Sequence, residues 1–221
     1  EPNPARAVRY HRTLDAVATL SEEEKQRLSE VTLRFPFRSN DYYLSLIDWS
    51  DPNDPIRRII LPDPQELEDW GQFDASDERR WTVAPGCEHK YPRVAVLLLT
   101  DVCGGYCRFC FRKRLFQPGS EEVLRDLRPG LDYIRRHPRI TNVLLTGGDP
   151  LVFSANKLEH VIQSVFDIPH IQIVRIGTKM PAFNPHRILE DAELPRLISR
   201  YSQGRRRIYI MTHFNHPKEI T

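Results

Sequence analysis

Four short apolar runs, each separated from the next by helical periodicity, constrain the fold of this chain more than any other feature. Val94–Leu99 is apolar throughout, and similar runs follow at Asn142–Leu145, Ile171–Ile176 and Ile208–Met211. A strand with apolar residues on both faces suits a parallel sheet covered on both sides. Between the runs, Leu131 and Ile134, then Leu158, Val161, Ile162 and Val165, then Leu194, Leu197, Ile198 and Tyr201 recur at helical spacing. This alternation predicts βαβ units and an α/β fold with about four parallel strands. Right-handed crossovers point all of them the same way, so functional loops are expected at their C-terminal ends.

Those ends are where the unusual residues collect. Thr100-Asp101-Val102 leads into Cys103, Cys107 and Cys110. The second run ends in Thr146-Gly147-Gly148-Asp149-Pro150, the third in Gly177-Thr178-Lys179, and the fourth in Thr212-His213-Phe214-Asn215-His216-Pro217. One rim, and so one active site, is expected. Residues 1–90 read differently, rich in proline and charge and with helical signals. Tyr10, Leu14 and Val17 fit one helical face. Ser21 and Glu24 form a capping box ahead of Leu28 and Val31. Ser39-Asn40-Asp41 can cap a helix bearing Tyr42, Tyr43, Leu46 and Ile47, and Pro64 can open a short helix that Gly71 closes. The expected division is a mainly helical N-terminal region, 1–90, and an α/β region, 91–221.

A chain of 221 residues can bury one good core with a smaller appendage. Its 32 basic and 30 acidic residues leave a net charge of +2 and no concentrated basic face, so a nucleic-acid partner is not expected. No apolar stretch approaches the roughly 20 residues that cross a bilayer, and no signal-peptide pattern opens the sequence. Three of the four cysteines crowd into one short loop, unlike a disulfide framework. A reducing, cytoplasmic setting fits that usage. The sequence lacks an initiator Met and stops at Thr221, and reads as a portion of a longer protein.

The spacing Cys103-x3-Cys107-x2-Cys110 lets three thiolates reach three irons of a [4Fe-4S] cubane. The fourth iron then keeps an open position, the mark of a catalytic metal site rather than a structural one. S-adenosylmethionine (SAM) can chelate that iron through its amino and carboxylate groups, and an electron from the cluster then yields a 5′-deoxyadenosyl radical. A structural zinc site completed by Cys87 or His89 is the alternative, although zinc favours separated ligand pairs. Cys87 otherwise reads as a small apolar side chain. Gly147 and Gly148 permit positive φ and close backbone approach to a ligand, and Asp149 offers a carboxylate to the SAM ammonium group. His213 and Asn215 are further hydrogen-bond partners for SAM. Arg112, just past the last thiol, can hold a substrate carboxylate bidentately. Lys113, Arg114 and the run Arg205-Arg206-Arg207 read as solvated charge. Arg175, inside an apolar strand, needs a partner that the sequence does not name.

His89-Lys90-Tyr91-Pro92, Leu99-Thr100-Asp101, the segment from Cys103 to Arg114, Leu145–Asp149, Ile168–Gly177 and Thr212–Thr221 together resemble the lysine 2,3-aminomutase family of radical SAM enzymes. The resemblance covers about residues 55–221, with the segments in the family's order. It implies a partial radical SAM (βα) barrel, about four units of an open six-unit barrel, truncated at its C-terminal side. It also implies an isomerase that moves the α-amino group of a small-molecule amino acid substrate to the neighbouring carbon, using a [4Fe-4S] cluster, SAM, pyridoxal 5′-phosphate (PLP) and a reducing electron donor. By matching position, Cys103, Cys107 and Cys110 hold the cluster and Phe109 lies against the adenine. Gly148 and Asp149 clamp SAM, Arg112 binds the substrate carboxylate, and Tyr91 contacts PLP. Val94 departs from the family's usual arginine. The lysine that carries PLP and the residues that read the substrate side chain fall outside these 221 residues, so this chain alone is expected to bind PLP poorly and not to turn over. Two other readings stay open: a PLP-independent hydrogen abstraction, and a non-catalytic metal-binding domain. Association into a homo-oligomer is also left open.

Overall fold

The structure, a computed structural model, describes residues 8–68 and 71–221. In the N-terminal layer a short strand, β1 (Tyr10–His11), pairs antiparallel with β2 (Ser39–Asn40). The helix expected from Tyr10, Leu14 and Val17 does not form. Tyr10 is drawn into that strand pair, and only Leu14–Ala16 makes a single 3-10 turn. The first helix, α1 (Glu22–Arg34), starts where its capping box predicts: the Ser21 hydroxyl accepts the Glu24 N–H, and Glu24 reaches back to the Ser21 N–H. It buries Leu28 and Val31. Asn40 caps α2 (Asp41–Ser45), and Asp54 caps α3 (Pro55–Ile60), whose isoleucines are buried. Pro64 opens a 3-10 turn, Pro64–Leu67, which ends before Gly71. The apolar side chains of this layer form a core of their own, joined by Phe183 from beyond the sheet.

The main sheet begins inside the segment expected to be helical. Strands β3 (Thr82–Ala84) and β4 (Cys87–Tyr91) form an antiparallel hairpin that turns at Gly86, where φ is +63°. The four apolar runs become β5 (Val94–Thr100), β6 (Asn142–Gly147), β7 (Ile173–Thr178) and β8 (Arg207–Thr212). All six strands lie in chain order, β5 to β8 parallel and β4 antiparallel to β5. The sheet therefore crosses the division drawn at residue 90. The crossovers are α4 (Arg128–Arg136) and α5 (Ala155–Phe166), then two one-turn helices, α6 (Met180–Phe183) and α7 (His186–Leu189), followed by α8 (Glu193–Tyr201).

Apolar residues of α4, α5 and α8 pack with Ala95, Leu97, Val143, Leu145, Val174 and Ile176 in one core. These strand residues alternate and so share one face. The other face, which the apolar runs led us to expect under helices as well, carries Leu144, Arg175, Tyr209 and Met211. Tyr209 and Met211 are exposed. Arg175 finds its partner there, donating from Nε to Asn142 Oδ1 at 3.0 Å. Among the described residues no helix is long and apolar enough to cross a membrane.

Candidate active site

The loops that leave β5, β6, β7 and β8 meet at one end of the sheet, and each is tied to the next. The Gly-Gly-Asp segment is shaped by protein backbone. Gly147 has φ +107°, and a Cβ there would stand 2.7 Å from the carbonyl oxygen of Thr100; at Gly148 it would stand 2.4 Å from that of Val102. The glycines let the end of β6 lie directly on the start of the cysteine loop, and Asp149 N donates to Val102 O at 2.8 Å. The Asp149 carboxyl is buried. It accepts from Thr178 Oγ1 at 2.7 and 2.8 Å, from Leu151 N at 3.0 Å and from Lys179 N at 2.8 Å. Burial pushes its pKa up, against the pull of those donors. Both oxygens have protein donors, so this carboxylate, expected to meet the SAM ammonium group, locks the end of β6 to the end of β7.

The cysteine loop is held from outside by the N-terminal layer. Arg38 Nε donates to Cys103 O at 2.7 Å, Tyr106 N donates to Arg38 O at 3.0 Å, and Arg108 N donates to Ile59 O at 2.9 Å. Arg108 is buried; its guanidinium grips Glu66 at 2.9 and 2.8 Å and also donates to the carbonyls of Phe35 and Pro36. A Cβ on Gly104 would stand 3.0 Å from Phe183 Cβ, and one on Gly105 would stand 2.8 Å from the Phe183 ring. All three thiols are free and half-buried. Burial pushes Cys103 well above the usual thiol range, with Asp149 and the other two thiols adding to the effect. Burial likewise pushes Cys107 up to about 12 and raises Cys110. These are neutral thiols until a metal displaces their protons, as metal binding generally does.

Among the described residues no three His, Cys, Asp or Glu side chains converge on one point where a single metal ion could sit. A cubane asks for a different arrangement, one thiolate at each iron corner. The fourth zinc ligand considered from the sequence is placed elsewhere: Cys87 is fully buried in the sheet core, and His89 faces Tyr133 and His137 of the α4 segment.

The loop after β8 closes the rim. Lys179 is buried, and its ammonium donates to Glu219, to Asn215 Oδ1 at 2.7 Å and to the carbonyl of His213. Glu219, almost fully buried, also takes the hydroxyl of Tyr43 from α2 and the N–H of Asn215. Asn215, expected to face SAM, is thus bonded into this knot. The Phe109 and His213 rings meet edge to face at 6.2 Å and are both exposed, so the residue expected against the adenine lies beside one expected to hydrogen-bond SAM.

Arg112 is not free. Its Nε donates to Glu78 Oε2 at 3.1 Å, its Nη2 to Glu78 Oε1 at 2.6 Å, and its Nη1 to Thr146 Oγ1 at 3.2 Å. Lys113 and Arg114, read as solvated, are paired as well. Arg114 is buried among Asp74, Glu78 and Glu122, and Lys113 bonds Glu66. Tyr91 is exposed and pairs with Val94, at the end of β5 opposite the cysteine loop, so it does not join the rim.

The chain is 53% identical over 215 residues to a protein of Aquifex aeolicus provisionally named as an L-lysine 2,3-aminomutase, covering 97% of this chain and 58% of that one. It is 38% identical over 206 residues to the L-lysine 2,3-aminomutase of Clostridium subterminale, covering 91% and 48%. By sequence, this chain belongs to the lysine 2,3-aminomutase family. A glutamate 2,3-aminomutase of Clostridioides difficile is 36% identical over 211 residues, 95% of this chain and 49% of that protein. The chain spans about half the length of the curated aminomutases it matches. No protein-family model matches it.

Within this aminomutase-family chain, the residues that sequence reasoning missed are the buried charges. Glu78 sits in the charged stretch Asp74–Arg80 with nothing to distinguish it, and Glu219 could be read only as part of a helix-capping box. Lys179, directly at the end of an apolar run, carried the one available signal.

Proposed function

We propose that this chain is the cluster- and SAM-binding portion of a radical SAM amino acid 2,3-aminomutase, its sheet forming part of a (βα) barrel. The observation that carries the reading is the cysteine loop, three half-buried thiols on a backbone wrapped between two cores, with exposed Phe109 and His213 rings beside it. The donor set fits a [4Fe-4S] cluster: three free cysteines on one loop, the ligand type such clusters take. When bound, cluster and SAM supply one-electron chemistry that generates an adenosyl radical able to abstract hydrogen.

In this reading the protein's own residues bind and orient. Cys103, Cys107 and Cys110 each take one iron. Arg38 and Arg108 fix the loop against the N-terminal layer, and Asp149 fixes the ends of β6 and β7 so that the backbone at Gly147 and Gly148 is set beside SAM. Phe109 and His213 flank the adenine, with Asn215 held next to them. Arg112 takes the carboxylate of an α-amino acid. Tyr91, exposed and with the Lys90 ammonium over its ring, does not by itself build a PLP site.

Anaerobic reconstitution tests the reading. The chain is expected to take up about four irons and to cleave SAM on reduction, and Cys103→Ala, Cys107→Ala and Cys110→Ala are each expected to lose both properties. A colourless protein holding one zinc sinks it. An aminomutase built on this chain is expected to convert L-lysine or L-glutamate to the β-amino isomer.

A further inference from the structure

A guanidinium has about five N–H donors, and a carboxylate can sit on its flat edges through two of them at once. On Arg112 the edge formed by Nε and Nη2 is filled by Glu78, and Nη1 also donates to Thr146. One N–H remains on each terminal nitrogen. The Arg112 and Glu78 side chains are each only 12% exposed, so salt screens the pair little.

Glu78 is itself held firmly. Its Oε2 accepts a second guanidinium, that of Arg114, at 2.9 Å. Its backbone N–H donates to Asp74 Oδ1 at 2.9 Å, and Asp77 before it takes a left-handed φ of 50°. A substrate carboxylate that displaced Glu78 would strand a buried charge, which is strongly unfavourable. Binding beside it, on the terminal nitrogens, carries no such penalty.

We propose that Glu78 is a positioning residue for carboxylate recognition: by occupying one edge of Arg112 it aims the terminal nitrogens at the carboxylate of the substrate. This rests on the reading of Arg112 given above. Glu78 touches neither substrate nor cofactor; it acts through Arg112.

The test uses the full-length holoenzyme, with the cluster kept oxidised so that nothing turns over. Anaerobic calorimetry measures binding of L-lysine and L-glutamate against their α-amides, which lack the carboxylate. The wild-type protein is expected to prefer acid over amide by at least about tenfold. Glu78→Gln is expected to lose most of that preference, and Glu78→Asp to recover part of it. Glu122→Gln, which takes a charge from Arg114 but no partner from Arg112, is expected to keep it. Iron content is measured on each variant, and if Glu78→Gln does not load the cluster, Glu78→Asp carries the comparison. A loaded Glu78 variant with the full wild-type preference overturns the inference alone. A wild-type protein that binds none of the probes, or shows no preference for the acid, overturns the reading of Arg112 and this inference with it.

Discussion

Single charges decide much of this site, and Glu88 shows the cost of burying one. It lies on β4, and its carboxyl is buried without a side-chain hydrogen bond among the described residues, close to Glu78 and Glu122 as well as to Arg112 and Arg114. Burial, reinforced by Glu78, pushes its carboxyl up to about 7 from an ordinary 4.5. In the pH window between those values the folded state holds a proton that the unfolded state has released, so stability falls as pH rises through it. The loss amounts to up to about 3 kcal/mol. Glu88→Gln is expected to match wild type near pH 4.5 and to be more stable at pH 8 by up to that amount, read from urea midpoints. A variant as pH-dependent as wild type would place the titration elsewhere.

Among elements, the junction between the N-terminal layer and the cysteine loop matters more than any one helix. Arg108 bridges them through Glu66 and two carbonyls, and removing one partner of a buried ion pair costs about 3–5 kcal/mol. Arg108→Ala is expected to lose about 3 kcal/mol and to expose the loop to protease. Ser21→Ala, which removes only a helix cap, should lose about 1 kcal/mol and leave cleavage unchanged. Equal losses in thermal unfolding would remove the distinction. The same contrast explains what could be read from sequence. Ser21, Asn40, the four apolar runs and the three thiols announce themselves over a few neighbouring residues. Strands β3 and β4 do not, because Thr82-Val83-Ala84 is short and largely exposed and Glu88-His89-Lys90 is polar. The Tyr10 segment had helical spacing, but pairing with Ser39–Asn40 overrode it. The partners of Glu78, Glu219 and Tyr43 could not be read, since they lie far along the chain: Arg112 is 34 residues from Glu78, and Tyr43 is 176 from Glu219.

For the whole molecule, the helices cover one face of the sheet and leave the other open at edge strand β8. Tyr209, Ile210 and Met211 on that strand are exposed, as are Phe214 and Ile220 beyond it. An apolar strand edge without a neighbour invites pairing with another chain. The 221-residue chain is expected to associate as its concentration rises, and a Tyr209→Lys, Met211→Lys double variant is expected to stay monomeric in sedimentation analysis. A wild-type monomer at high concentration would mean that the edge is protected by some other means.

The knot of Lys179, Glu219 and Tyr43 ties an early helix to a segment translated long after the cysteines. On the ribosome, then, Cys103, Cys107 and Cys110 emerge with their N-terminal support already made and their last brace still missing. If these thiols hold a cluster as proposed, iron delivered co-translationally would meet a half-built socket, and insertion should wait until Glu219 has left the exit tunnel.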